Sequence, residues 1–367
     1  MTPLDQLTAL GQAVWFDYIR RSFTRAGDLQ ALIDQGVRGV TSNPAIFEQA
    51  IAGSDDYDED IRRLAGENRS VVEIYEALAI EDIRQAADLL RPLYDRTDGR
   101  DGYVSLEVSP ALAHDTAGTA ADAKRLFAAT DRPNLMIKIP ATPAGIPAIE
   151  SVIAAGINVN VTLIFSLAQY EAAAGAYISG LEKLHETGRA LGQTASVASF
   201  FVSRVDTAVD DALEKIGRSD LQGLTAIDNA RLAYARFREI FAGDRWDTLA
   251  AVGARIQRPL WASTGTKNPA YADTLYVDNL IGPDTVNTLP PATLQAFIDH
   301  GRASLTIDKD VSGARSRIAA LAEIGIRLET ITGQLLEQGV AAFAKPFESL
   351  MKSLEEKKDR LSGSGNA

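Results

Sequence analysis

The chain contains no cysteine, which removes disulfides, thiolate metal sites and cysteine nucleophiles together. That absence fits a reducing compartment without requiring one. Histidine is almost as scarce. His114, His185 and His300 are the only three, and no two stand at the short spacing of a metal-binding pair. Basic residues are outnumbered, 37 Lys and Arg against 49 Asp and Glu, for a formal net charge of −12. Such a chain has no general attraction for nucleic acid or an anionic membrane, although a local basic pocket for a small phosphate remains open to it. No uncharged apolar run is long enough to span a bilayer. The opening stretch MTPLDQLTALGQAVWFDYIRR meets an acid at Asp5 and has no basic segment leading into an apolar core, so it does not read as a signal peptide. The expectation is a soluble cytoplasmic protein with no metal, no nucleic-acid partner and no membrane partner. Its chemistry must use Lys, Asp, Glu, Ser or Thr.

What is present is a globular composition, with 46% apolar and 23% charged residues over 367 positions. That length suits two medium domains or one large α/β barrel with additions. Short β-like runs alternate with longer helical stretches. The runs are Val14–Asp17, Gly39–Asn43, Tyr103–Val108, Leu135–Pro140, Asn158–Phe165, Ser196–Val202, Pro259–Ser263 and Thr285–Leu289. Helical patterns fall at Val71–Leu90, Thr119–Ala129, Gly145–Ala155, Leu167–Thr187, Arg204–Ile216, Thr225–Phe241 and Tyr271–Asp278. Alternation of this kind predicts a parallel sheet, and the number of strand–helix units predicts a closed (β/α)8 TIM barrel. An open doubly wound sheet is the alternative, but no glycine-rich dinucleotide fingerprint follows the first run. The acidic, polar stretch 53–70 reads as a helical insertion. Residues 1–303 are expected to form the barrel, and 304–367 a C-terminal helical extension packed on it, with a flexible tail at 362–367.

Strands buried in a parallel sheet usually read as continuous apolar runs. Several here alternate instead. Val104, Leu106 and Val108 share one face, while Ser105, Glu107 and Ser109 share the other. Ile157, Val159, Val161 and Leu163 oppose Asn158, Asn160 and Thr162, and Lys138 opposes Leu135, Ile137 and Ile139. In a barrel the apolar faces would meet the outer helices and the polar faces would converge in the lumen. A lumen holding Glu107, Lys138, Asn160 and Thr162 is costly as mere core, because buried charges must pair or shift their pKa. It makes sense as an active site.

Lys138, in MIKIP, is either a strand-end lysine reaching for solvent or an amine nucleophile. At an ordinary pKa of roughly 10.4 only about 0.04% of lysine is neutral at pH 7. Apolar burial lowers that pKa, and bringing it to about 7 corresponds to roughly 4.6 kcal/mol of differential interaction. A neutral lysine can attack a ketone to form a Schiff base, whose iminium accepts electrons when an adjacent C–C bond breaks. Glu107 is either the ion-pair partner of a barrel lysine or a proton relay during carbinolamine dehydration. Asp17, in VWFDYIRR, also fits a helix surface. Asn43 fits the cap of a helix beginning near Pro44, and His114 a cap or packing residue. SFFVSR offers Ser199 and Arg204, and WASTGTKNP offers Ser263, Gly265 and Lys267. Hydroxyls, a glycine and cations after late strands are what a phosphate site needs. STGTK lacks the GxxxxGK[ST] spacing, so ATP hydrolysis is rejected.

Taken together, GVTSNPAIF, VSLEVSP, LMIKIPAT, GINVNVTLIFS, ASFFVSRVD and WASTGTKNP resemble the transaldolases in their longer bacterial form, from about Val14 to Leu289. The resemblance implies a barrel of the class I aldolase type, a Schiff base on Lys138, and transfer of a dihydroxyacetone unit between sugar phosphates in the non-oxidative pentose phosphate pathway. It implies no cofactor and no metal. It makes Asp17 the acid/base at the C4 hydroxyl, and Glu107 with Thr162 the holders of a proton-shuttling water. Asn43 and Asn160 would bind hydroxyls of the three-carbon unit. Ser199 beside Phe201 would contact the substrate, and Arg204, Ser263 and Lys267 the phosphate. Shorter transaldolases carry a Ser-x-Arg element where this chain has Ser-Thr-Gly-Thr-Lys, so Lys267 stands in for that arginine. A Schiff-base lyase acting on fructose 6-phosphate or deoxyribose phosphate and a non-catalytic sugar-phosphate-binding barrel are the competing readings.

Overall fold

The structure, a computed structural model, describes residues 2–363. Among these, eight parallel strands close on themselves in chain order: β1 (Gln12–Phe16), β2 (Val37–Val40), β3 (Tyr103–Glu107), β4 (Leu135–Pro140), β5 (Val159–Ile164), β6 (Ser196–Phe201), β7 (Arg258–Ala262) and β8 (Thr285–Leu289), with β8 paired to β1. Helices connect the strands, as the alternation predicts. Strands β4 and β8 have the expected limits, and the others differ by a few residues at their ends. Asp17 and Thr41 fall just past β1 and β2, yet the ladder continues to them. The Asp17 amide donates to the Leu289 carbonyl and the Thr41 amide to that of Phe16, each at 2.9 Å.

The pleat sorts the side chains as the alternation requires. Val104, Leu106, Ile137, Ile139, Val159 and Val161 are buried, while the register Trp15–Gly39–Tyr103 places those three residues on the lumen side. Their layer fills the lower lumen. The Trp15 and Tyr103 rings lie 6.3 Å apart, and a Cβ on Gly39 would stand 2.7 Å from the Trp15 indole. Only glycine allows that approach.

Leu163 departs from the expected alternation. Its φ of 59° is left-handed, and the β5–β6 register shifts between Val161 and Ile164. Instead of joining the outer face, its side chain reaches the C-terminal mouth, where a Cβ on Gly339 would lie 2.9 Å from Leu Cδ2. A non-glycine residue in this conformation costs about 1–2 kcal/mol, offset here by complete burial.

Two other expectations change. The helix begun by the Ser70/Glu73 capping box does not stop at Leu90 but runs Val71–Arg96 through Pro92. Proline forfeits one donor there, and Leu93 beyond it is buried. The helix expected over Tyr271–Asp278 is reduced to Leu275–Asn279, because Asn268 Oδ1 accepts from the Ala270 amide and holds the preceding residues in a turn.

The insertion expected at 53–70 contains the helix Asp58–Gly66 and follows directly on the helix Pro44–Ala52. Buried Arg21 fixes it to the barrel by pairing with Asp60 at 2.6 Å and Asp82 at 2.8 Å, and Tyr57 donates to Asp82. After β8 come the helices Pro291–His300, Val311–Glu323 and Leu328–Gly363. The last of these packs on the insertion, on β5 and on the helix Ser203–Lys215, and so crosses the mouth. Near its end, buried Lys357 donates to the Ile51 and Ser54 carbonyls and pairs with Asp58 at 2.7 Å. Of the tail expected to be loose, residues 362 and 363 belong to this helix, and 364–367 lie outside the described residues.

Candidate active site

The strand ends deliver the polar side chains to one cavity of about 150 Å³. Asp17 comes from β1, Asn43 from the segment after β2, Lys138 from β4 and Thr162 from β5. Ser199 and Phe201 come from β6, Arg204 from the helix that follows it, and Ser263 and Lys267 from the loop after β7. The two remaining predicted residues stand immediately behind this wall. Glu107 pairs with Lys138, and Asn160 lies beneath Ser199. A larger cleft of about 780 Å³ lies at the opposite end of the barrel, around Asp98, Gly156 and Arg255, and holds none of these groups.

Lys138 is buried, with Nζ 3.4 Å from Glu107 Oε2. It donates to the Ser42 carbonyl at 3.2 Å and lies 5.2 Å from the centre of the Phe343 ring. The amine is therefore buried among a carboxylate, which the polar lumen face predicts, a carbonyl and an aromatic face. Burial pushes the Glu107 carboxyl up from its ordinary value. Lys138 opposes that rise and the charge of Asp17 adds to it. Burial also raises Asp17, opposed by Lys138, by a hydrogen bond from Thr41 and by Lys267. The Thr41 hydroxyl reaches Asp17 Oδ1 at 2.6 Å and Thr288 Oγ1 at 2.6 Å. Asp17 thus sits on a strand end in the lumen, not on a helix surface.

A second set of bonds orients the floor. Asn160 Nδ2 donates to Ser105 Oγ at 3.0 Å, and its Oδ1 accepts from Ser199 Oγ at 2.6 Å. Both ends of the carboxamide are therefore fixed. The Thr162 hydroxyl and Glu107 Oε2 are buried without a hydrogen-bond partner among the described residues. Asn43 does cap the helix Pro44–Ala52 through Oδ1, which leaves its amide nitrogen for the cavity.

The cations gather on the other side. Arg204 stacks over Phe201, 5.2 Å from the ring centre, and burial lowers its pKa. Lys267 is exposed. Among the described residues neither has a carboxylate within 4.0 Å. Ser263, left-handed at φ 56°, brings its hydroxyl to 2.9 Å from that of Ser203. The helix Ser203–Lys215 begins beside them with no side-chain cap, and its first amide, that of Ser203, donates to the Ser263 carbonyl at 3.1 Å.

Sequence reasoning placed Ser105 on the polar face without a role and overlooked Thr41, Thr288 and Phe343. Thr41 and Ser105 lie inside motifs already singled out, and their parity with Asn43 and Glu107 was a usable signal. Nothing in the amphipathic pattern of the last helix marks Phe343. His114 lies outside the site, and no group of three or more His, Cys, Asp or Glu that could hold a metal ion occurs among the described residues.

The family described as Transaldolase/Fructose-6-phosphate aldolase matches residues 14–354. A protein named Transaldolase from Thermobifida fusca (strain YX) is 51% identical over 355 residues, covering 95% of this chain and 96% of that protein. A Transaldolase of Frankia alni is 50% identical over 368 residues, covering 99% of each. One of Trichodesmium erythraeum (strain IMS101) is 46% identical over 372 residues, covering 98% of each.

Proposed function

We infer the activity from family and geometry together: the chain belongs to the transaldolase/fructose-6-phosphate aldolase family, and its barrel presents a buried amine between two carboxyls. It is a transaldolase. It transfers a dihydroxyacetone unit from a ketose phosphate, such as fructose 6-phosphate or sedoheptulose 7-phosphate, to an aldose phosphate, as in the non-oxidative pentose phosphate pathway. The observation that carries the mechanism is Lys138 Nζ at 3.4 Å from Glu107 in the cavity that Asp17 also lines.

The Lys138 amine attacks the ketone carbon, and the carbinolamine loses water to give the iminium. Glu107 takes and returns the protons of these steps. Its raised pKa moves it towards the range in which a carboxyl does both at neutral pH. The partnerless Thr162 hydroxyl suits a shared water. Asp17 removes the C4 hydroxyl proton while the C3–C4 bond breaks. The electron pair of that bond enters the iminium, and an enamine remains on Lys138 as the aldose phosphate leaves. Addition to a new aldehyde reverses these steps. Asn43, Asn160 and Ser199 hold hydroxyls of the three-carbon unit. Arg204, Lys267 and Ser263 hold the phosphate, where two cations without a carboxylate partner line the cavity beside a hydroxyl.

Of the described residues, we assign those up to 303 to the barrel and those from 304 onward to a helical cover. No helix among the described residues is long and apolar enough to cross a membrane, and we place the enzyme in the cytoplasm. Borohydride reduction with fructose 6-phosphate should leave an adduct on Lys138, and products should depend on erythrose 4-phosphate. Equal release of free dihydroxyacetone with and without that acceptor would favour the aldolase reading, which the family description also covers.

A further inference from the structure

Phe343 belongs to the last helix, outside the barrel, yet it is buried and lines the cavity of Lys138. Its ring lies over Nζ, 5.2 Å from the centroid. Each turn around it is secured. One turn earlier, Gly339 lets the helix settle against Leu163 and Phe165. One turn later, Phe347 packs edge-on to Tyr75 at 5.4 Å. Leu163, Val340 and Phe343 meet Glu107 and Pro140 around a gap of about 10 Å³, at the lower limit of what a water molecule occupies. The left-handed backbone of Leu163 is what turns its side chain into this seal.

We propose that Phe343 determines the fate of the three-carbon adduct, by screening it from water until an aldehyde arrives. This rests on the Schiff-base reading above. Two routes compete for the enamine. In transfer, its carbon nucleophile bonds to the aldehyde carbon, the new alkoxide takes a proton from Asp17, and one water releases the ketose product. In loss, the same carbon takes a proton from water. A second water then adds to the iminium carbon, the C–N bond breaks, dihydroxyacetone leaves and the Lys138 amine is restored. An apolar ring over the nitrogen keeps water from the adduct and so hinders both the protonation and the hydration of the second route. Glu107, paired with Lys138, and the partnerless Thr162 hydroxyl remain able to supply the water that ends a productive cycle.

The test compares the full-length parent with Phe343→Ala, Phe343→Leu and Phe347→Ala. Dihydroxyacetone release from fructose 6-phosphate without acceptor is measured against transfer to erythrose 4-phosphate. This ratio does not depend on the amount of folded enzyme. Phe343→Ala should raise release relative to transfer on the order of tenfold, Phe343→Leu by less, and Phe347→Ala, which leaves the ring over Lys138, not at all. An unchanged ratio in both Phe343 variants, or an equal rise in Phe347→Ala, overturns the proposal. Should Phe343→Ala fail to fold, the Phe343→Leu ratio decides. Borohydride trapping is run on every protein. If the parent is not trapped at Lys138, the Schiff-base reading itself falls. Trapping throughout with an unmoved ratio removes only the role of Phe343.

Discussion

Glu107 and Lys138 are register partners across β3 and β4, so the backbone ladder itself holds their charged ends 3.4 Å apart. Two long side chains that would otherwise be costly to order are placed by neighbouring strand positions on one face. Asp17 stands close enough for its charge to raise Glu107. The amine therefore faces one carboxyl fixed by the sheet and a second held by Thr41.

Replacing the amine should abolish covalent trapping. Lys138→Ala should lose turnover by about 10³-fold or more. Lys138→Arg should do no better, because guanidinium stays protonated and forms no imine. Lys267 is the other amine lining the cavity. Mass spectrometry that located the reduced adduct there would overturn the assignment.

Asp17→Asn should lose activity and gain stability. The carboxyl of Asp17 is raised in the folded protein, so its contribution to stability is complete below the ordinary carboxylate pKa and is lost as pH rises through the folded value. Ionisation of Asp17 sets a second buried carboxylate near Glu107, opposed by Lys138 and Lys267. The variant leaves a balanced Lys138–Glu107 pair, and its amide oxygen can still accept from Thr41. Urea unfolding should show a gain of about 0.5–2 kcal/mol at pH 8 that shrinks towards pH 4. A gain of the same size at both pH values would contradict this account.

Phosphate recognition should separate from chemistry. Arg204→Ala and Lys267→Ala each delete a cation whose charge-assisted bonds are worth roughly 1.5–3 kcal/mol, so kcat/KM for fructose 6-phosphate should fall about 10- to 150-fold. The half-buried Arg204 should give the larger loss and exposed Lys267, which salt screens, the smaller. Fructose itself should be nearly indifferent to both. If Lys267→Ala discriminates no better than a remote surface lysine variant, the phosphate is held without it.

Lys357→Met should loosen the cover. The substitution strands the Asp58 carboxylate and two carbonyls that Lys357 now satisfies, at a cost of about 1–3 kcal/mol. Amide exchange should accelerate in the second half of the last helix. Protection equal to that of the parent across residues 340–363 would show that the helix is held elsewhere.

Alternating polarity made much of this site legible. Ser105 with Glu107, Lys138, and Asn160 with Thr162 each interrupt an apolar face at the period of a strand, and the pleat has no other use for them. Asp17 was ambiguous because VWFDYIRR satisfies both periods, and only the pairing of β1 with β8 resolves it. Leu163 was illegible for a different reason. A left-handed leucine is stabilised by what surrounds it, a helix nearly two hundred residues away in the chain, and its local sequence reads as plain strand. The same distance hides Phe343, since an amphipathic helix announces that one face is covered without saying which end of a barrel covers it.

The close contact of Trp15 with Gly39 has a kinetic meaning. With the lower lumen filled, nothing passes through the base of a cavity of about 150 Å³, and two sugar phosphates cannot stand in it together. Donor and acceptor must take turns. The first aldose departs by the path that the second will use, so initial rates at several fixed acceptor concentrations should give parallel double-reciprocal lines, the mark of a double-displacement enzyme.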